Sequence, residues 1–158
     1  MTIRDIEAAD LPFLLALNNQ SAAEVNALTA DALARLVAVA ASARLVGDGA
    51  RLSGFLIAFD QSSPTQGPNH AWFLQNLPAF VYIDRVVIAL EARGQGLGRR
   101  LYEDLSSVAA GRPLCCEVNV EPANPASLAF HERLGFSPRG EAVDPRNGKL
   151  VRYFVRSL

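Results

Sequence analysis

The stretch ALEARGQGLGRRL, residues 89–101, sets Gly94, Gly96 and Gly98 at alternate positions, directly before a run with helical spacing. A helix that starts on glycines presents unpaired backbone N–H groups, and the positive end of its dipole, to whatever lies ahead of it. That is an anion site, and residues without side chains let a phosphate approach the backbone closely. Two phosphate loops fail on the letters. A Walker A loop needs a lysine after its last glycine, and a dinucleotide fingerprint needs glycine at position 99, where this chain has arginine in both respects. A tight turn with no ligand is the other reading of the same glycines.

Further along, Asn124, Ser127 and His131 fall at i, i+3 and i+7 and share one helix face, while Ala126, Phe130 and Leu134 occupy another. Asn124 precedes Pro125, the arrangement of an N-cap followed by proline at the first helical position. On the strand before them, Glu117, Asn119 and Glu121 alternate with Cys116, Val118 and Val120. Glu117 and Asp84 are the carboxylates, and His131 the imidazole, that could move a proton near neutrality. An ion pair with an arginine such as Arg85 competes for either carboxylate, and packing or capping competes for His131.

The elements that must position these groups can be read in order. TIRDI is a strand, Asp10 can cap a helix through about Asn19, and Thr29 caps a second helix striped by Leu33, Leu36, Val37 and Ala40. ARLVGDGARLSGFLIAF is an antiparallel hairpin turned around Gly47-Asp48-Gly49, its second strand apolar enough to lie centrally in a sheet. Residues 61–79 hold three prolines, one glycine and the only tryptophan, and read as an excursion from the core. FVYIDRVVIAL is a strand with Phe80, Tyr82, Asp84, Val86 and Ile88 on one face; from Gly98 a helix carries Leu101, Leu105 and Val108. The strand PLCCEVNVE, the helix after Asn124 and one or two final strands complete a mixed α/β order, in which the passage from 80 to 120 needs a crossover.

Arg93, Gly96 and Gly98 spell R-x-x-G-x-G after a strand and at a helix start, which resembles the pyrophosphate loop of the GNAT superfamily of N-acetyltransferases. NPASLAFHERLGF, residues 124–136, is similar to the superfamily's late helix and following strand. The resemblance extends over nearly the whole chain and is vague only in the helices near 10–41 and in the 61–79 excursion. It implies a mostly antiparallel central sheet of about six to seven strands flanked by about four helices, in a single domain over 1–158. It implies acetyl-CoA as cosubstrate, with its thioester along Val86, Val87 and Ile88 and its pyrophosphate on Arg93, Gly94, Gln95, Gly96, Leu97, Gly98 and Arg99. Asn124 and Ser127 would face the pantetheine arm.

His131 stands where many family members carry a tyrosine that protonates the departing CoA thiolate; this is a departure from the pattern, and imidazole can do the same work. Glu117 is the first candidate to take the amine's proton and Asp84 the second, with a water relay as the third reading. Tyr82, Trp72 and Phe73 are candidates for the wall or lid of an acceptor site. The implied reaction is direct attack of a primary amine on the thioester in a ternary complex. A small amine or amino acid is the favoured acceptor; a protein N-terminus or lysine, and a non-catalytic acyl-CoA-binding module, are the alternatives. A homodimer through the C-terminal strands rests on the resemblance alone.

Bulk properties narrow the partners further. A chain of 158 residues with half of them hydrophobic and a net charge of −1 has globular composition and lacks the basic excess of a general nucleic-acid binder. No apolar run approaches the roughly 20 residues of a membrane span, and the N-terminus has no secretory pattern, so a cytoplasmic location is expected. The adjacent Cys115 and Cys116 suit neither a disulfide nor a zinc cluster, and mid-strand they are not placed as a covalent relay; no metal site is expected.

Overall fold

A computed structural model describes residues 1–157. Its elements run β1 (Thr2–Asp5), α1 (Leu11–Gln20), α2 (Ala30–Val39), β2 (Ser42–Asp48), β3 (Arg51–Asp60), α3 (Gly67–Asn76), β4 (Val81–Ile88), α4 (Leu97–Ala109), β5 (Leu114–Glu121), α5 (Pro125–Arg133), β6 (Ser137–Val143) and β7 (Leu150–Arg156). The seven strands form one mixed sheet in the order β1-β2-β3-β4-β5-β7-β6, antiparallel throughout except between β4 and β5. β3 is buried from Leu52 to Phe59, so its apolar run reflects a strand covered on both faces.

Register assigns the faces. Tyr82 pairs with Phe59, Arg85 with Ile57 and Val87 with Phe55, whereas Ile83 pairs with Ala58 and Val86 with Leu56. The shift between Ile57 and Ala58 leaves Asp84 as the extra residue of a β-bulge. Strict alternation of Phe80, Tyr82, Asp84, Val86 and Ile88 therefore does not hold: the bulge moves Val86 and Ile88 to the face opposite Tyr82. On the Tyr82 face, Arg85 reaches Asn18 of α1 and Trp72 of α3 stacks on Tyr153. On the other face, Arg44 pairs with Asp104 of α4 and His131 of α5 stacks over Phe154.

Three more local expectations change. Residues 61–79 are no excursion, because α3 lies within them and fully buries His70 and Phe73. The prolines mark its flanks, with Pro68 at its start, where a missing N–H costs nothing. Val108 is exposed, and the buried stripe of α4 is Leu97, Leu101, Tyr102, Leu105 and Ala109. Gly47 and Asp48 belong to β2, so the hairpin turns on Gly49 and Ala50. The Thr29 cap is present, its hydroxyl accepting the Ala32 N–H at 3.1 Å. Asp10 precedes α1 but its carboxylate accepts from Glu7 N–H and Arg4 instead of capping the helix.

Candidate active site

β4 and β5 pair only at Val81–Leu114 and Tyr82–Cys115 and then diverge. The split opens into a cleft of about 620 Å³, walled by the ends of β4 and β5, the 93–99 loop and α5. The three loop glycines do two different jobs. Gly94 and Gly96 have φ of 79° and 76°, left-handed values that Cβ-bearing residues resist, and no atom lies within 4 Å of where a Cβ would stand. The backbone is thus bare on that side. Gly98 is helical, and a Cβ there would make an ordinary contact with Phe130 of α5 at 3.4 Å, so this position has room for a side-chain carbon.

The first bond of α4 runs from Arg100 N–H to Gly96 C=O at 3.1 Å, which leaves the amides of Leu97, Gly98 and Arg99 ahead of the helical ladder and beside the cleft. Arg93 spans the mouth: its guanidinium meets Glu24 at 3.4 Å and the Ile88 carbonyl at 3.3 Å. Val86 and Ile88 line the cleft. Val87 turns into the core on the opposite face, and the Gln95 side chain lies outside the wall.

On α5, Asn124 caps the helix through its side-chain oxygen, which accepts the Ser127 N–H at 3.2 Å, and both residues line the cleft. His131 is buried. Its Nδ1 lies 2.8 Å from the Ser127 carbonyl, an acceptor only, so Nδ1 carries the hydrogen and Nε2 the lone pair. Nε2 then accepts the Tyr102 hydroxyl at 2.8 Å. Both ring nitrogens are engaged, and burial holds the imidazole below its ordinary pKa.

At the foot of the split, Glu117 on β5 accepts a hydrogen bond from the Tyr82 hydroxyl on β4. Removal from water, with the charge of Asp84 adding to it, pushes the Glu117 carboxyl up to about 8, while the Tyr82 bond opposes the rise. Tyr82 is held in turn: His70 stacks on its ring at 5.5 Å, and His70 is itself fixed by the Gln66 N–H and the Asp60 carbonyl, each at 3.0 Å. Asp84 also lines the cleft but pairs with Arg85 at 2.9 Å, and Arg85 extends to Asn18 and the Asn26 carbonyl.

The aromatic lid is corrected by burial. Phe73 is fully buried among Phe80, Tyr82 and Tyr153, and Trp72 lies flat on Tyr153 against Gly140; neither is among the residues lining the cleft. Tyr82 is 2% exposed and faces the cleft only through its bond to Glu117. Sequence reasoning missed Tyr102, Cys116, Glu24 and Val25, all of which line the cleft. Tyr102 was legible in principle, one turn beyond Gly98 on the stripe of α4. Glu24 and Val25 lie in the α1–α2 connection, which has no pattern to signal them. Among the described residues, no group of His, Cys, Asp and Glu could hold a metal ion, and no helix is long and apolar enough to cross a membrane.

Comparison with known proteins places this geometry. The model of the acetyltransferase (GNAT) family matches residues 29–136. A 5-NmdU N-acetyltransferase of Pseudomonas phage PaMx11 is 39% identical over 56 residues, which is 35% of this chain and 39% of that protein. The chain thus aligns with about two fifths of that relative's length. A ribosomal-protein-alanine N-acetyltransferase from Brucella melitensis superposes with a TM-score of 0.76 at 21% identity, over 100% of both chains. A phosphinothricin acetyltransferase from Sinorhizobium meliloti, in complex with AcCoA, does so with a TM-score of 0.72 at 21% identity, over 99% of this chain and 88% of that one.

Proposed function

Because the chain belongs to the acetyltransferase (GNAT) family, we propose that it moves the acetyl group of acetyl-CoA to a primary amine by direct attack, with a small amine or amino acid as acceptor. The bare backbone at Gly94 and Gly96, the free amides opening α4 and the cleft running to the foot of the split fit such a cosubstrate. Amides from Arg93 to Arg99 hold its pyrophosphate, the cleft edge of β4 at Val86–Ile88 holds the thioester end, and Asn124 and Ser127 face the arm between. Acetyl-CoA supplies the activated acetyl group. The chain's own groups orient the acceptor and manage its protons.

The observation that carries this reading is the position of Glu117. An aliphatic ammonium has a pKa of about 10.4, so an ordinary carboxylate near 4.3 would have to take its proton across a gap of about 6 units. A carboxyl raised to about 8 closes most of that gap. The remaining difference of roughly 2.4 units corresponds to about 3 kcal/mol, which the reaction can bear. Tyr82 and His70 fix the base in place. Asp84 is committed to Arg85 and serves the bulge more than the proton. Cys116 lines the cleft, but burial drives its thiol well above its ordinary pKa, away from the thiolate a covalent relay requires.

The test is CoA release, followed with a thiol reagent, from protein and acetyl-CoA against small amines, amino acids and short peptides. Release that depends on one small acceptor and falls at least tenfold in Glu117→Gln supports the reading. Release with peptides alone would replace the acceptor class. Binding of acetyl-CoA with no release for any acceptor would leave a binding module.

A further inference from the structure

The cleft holds a hydroxyl that the resemblance does not assign. Tyr102 lies one turn past Gly98 in α4 and is 1% exposed, its ring set edge-on to Phe130 at 5.3 Å and to Phe136 at 5.9 Å. Its hydroxyl meets His131 Nε2 at 2.8 Å, and both residues line the cleft. The tautomer decides which of the two can donate. Nδ1–H is spent on the Ser127 carbonyl, so the Nε2 of neutral His131 is bare and has no proton to give. Burial disfavours the imidazolium that could give one. The transferable hydrogen in the pair is on the Tyr102 oxygen.

Building on the acetyl-transfer reading above, we propose that Tyr102 is the proton donor to the departing CoA sulfur and that His131 is a positioning residue holding its hydroxyl. The amine nitrogen, having lost one proton to Glu117, bonds to the carbonyl carbon. The carbon–sulfur bond breaks with its electron pair on sulfur, and the Tyr102 hydroxyl turns its one hydrogen from His131 Nε2 to sulfur and gives it up, leaving a phenolate. The nitrogen sheds its second proton to cleft water as the amide forms, water returns a proton to the Tyr102 oxygen, and Glu117 releases its own to solvent, so that one proton leaves for each ammonium consumed. Burial and the neighbouring Cys116 keep the free phenol protonated, so its proton passes as the bond breaks and not before. The α5 imidazole has no hydroxyl, and one from α4 stands beside it.

Tyr102→Phe tests this, since it removes one oxygen and keeps the ring packed against Phe130 and Phe136. The first readout is binding, with no turnover: the thiol of CoA bound to the wild type, followed by its thiolate absorbance, should titrate about one unit or more below that of CoA bound to Tyr102→Phe. The second is kinetic. Tyr102→Phe should lower kcat at least tenfold while the Kd for acetyl-CoA changes less than twofold, and His131→Gln should retain more kcat than Tyr102→Phe. Wild-type kcat should not fall between pH 6 and 9. Equal thiol titrations with unchanged kcat, or a wild-type kcat that falls above about pH 8 as an imidazolium donor working with the Glu117 base requires, would overturn it. Should the variant fail to fold, the wild-type profile decides alone. Wild type that turns over with Tyr102→Phe indifferent defeats this proposal only; wild type inert toward every acceptor defeats the acetyl-transfer reading and this proposal with it.

Discussion

Glu117→Gln should make the protein more stable at alkaline pH. The glutamine amide oxygen can still accept the Tyr82 hydroxyl, so the change removes a titrating group and little else. In the folded chain the carboxyl holds its proton up to about pH 8, against 4.5 for the free group. Below pH 4.5 it is protonated in both states. Between 4.5 and about 8 only the unfolded chain has released the proton, so the unfolding free energy declines as pH rises, and above 8 the loss is complete. A gap from 4.5 to about 8 sets an upper bound of about 5 kcal/mol. Water in the cleft, to which the half-buried side chain is open, reduces that to roughly 2–4 kcal/mol. The assay is urea denaturation of wild type and variant side by side from pH 5 to 9, because all other titrations cancel in the difference. Wild type should lose ground steadily to the variant from pH 5 to about 8 and hold level above it. Two curves that stay parallel within about 1 kcal/mol would mean that Glu117 ionises at its ordinary pKa, and its fitness as the base would go with that. In the same window kcat/KM of the wild type should rise through about pH 8, an inflection that Glu117→Gln should lack.

Other perturbations separate the roles assigned above. Gly96→Ala places a Cβ at a φ of 76° and should cost about 1–2 kcal/mol with at least a fivefold weaker calorimetric Kd for acetyl-CoA. In contrast, Gly98→Ala, whose Cβ would make an ordinary contact with Phe130 at 3.4 Å, should leave the melting temperature unchanged or raise it. Phe73→Ala should destabilise by about 3–5 kcal/mol in chemical denaturation, whereas an exposed lid residue would cost well under 1. Asp84→Asn should lower stability by breaking the pair with Arg85 and, because the Asp84 charge helps raise Glu117, move the kcat/KM inflection below pH 8 without abolishing it; loss of that inflection would make Asp84 the base.

The elements that were legible from the letters have strong local signals. Thr29 caps, Asn124 caps, and the alternate glycines open α4 because only backbone without side chains tolerates that loop. Two kinds of feature were not legible. The bulge at Asp84 inserts a residue without changing composition, so strict alternation put Val86 and Ile88 on the wrong face. α3 hid among prolines because two of the three flank the helix and Pro68 occupies the one turn where proline is tolerated. For the site, Asn124, Ser127 and His131 line the cleft together, but so do Ala126, Phe130 and Leu134 from the face that spacing set apart. Partners across the fold had no local trace: the Tyr82–Glu117 bond spans 35 positions and the Tyr102–His131 bond spans 29. Periodicity reports which way a side chain points, and it does not report whom it meets.

The brevity of the β4–β5 pairing has a mechanical consequence. Two residue pairs, Val81–Leu114 and Tyr82–Cys115, stitch β1–β4 to β5–β7, so the sheet is two half-sheets on a short seam reinforced by the helices and by the Tyr82–Glu117 bond. Each half is well laddered within itself, and subglobal opening should therefore run along the seam at a free energy below that of global unfolding. A ligand that touches the 93–99 loop on one side and α5 on the other binds the closed molecule and not the parted one, so it adds its binding free energy to the cost of parting. Occupancy then merges two cooperative units into one, and amide exchange should slow in β7, a strand that lines no part of the cleft.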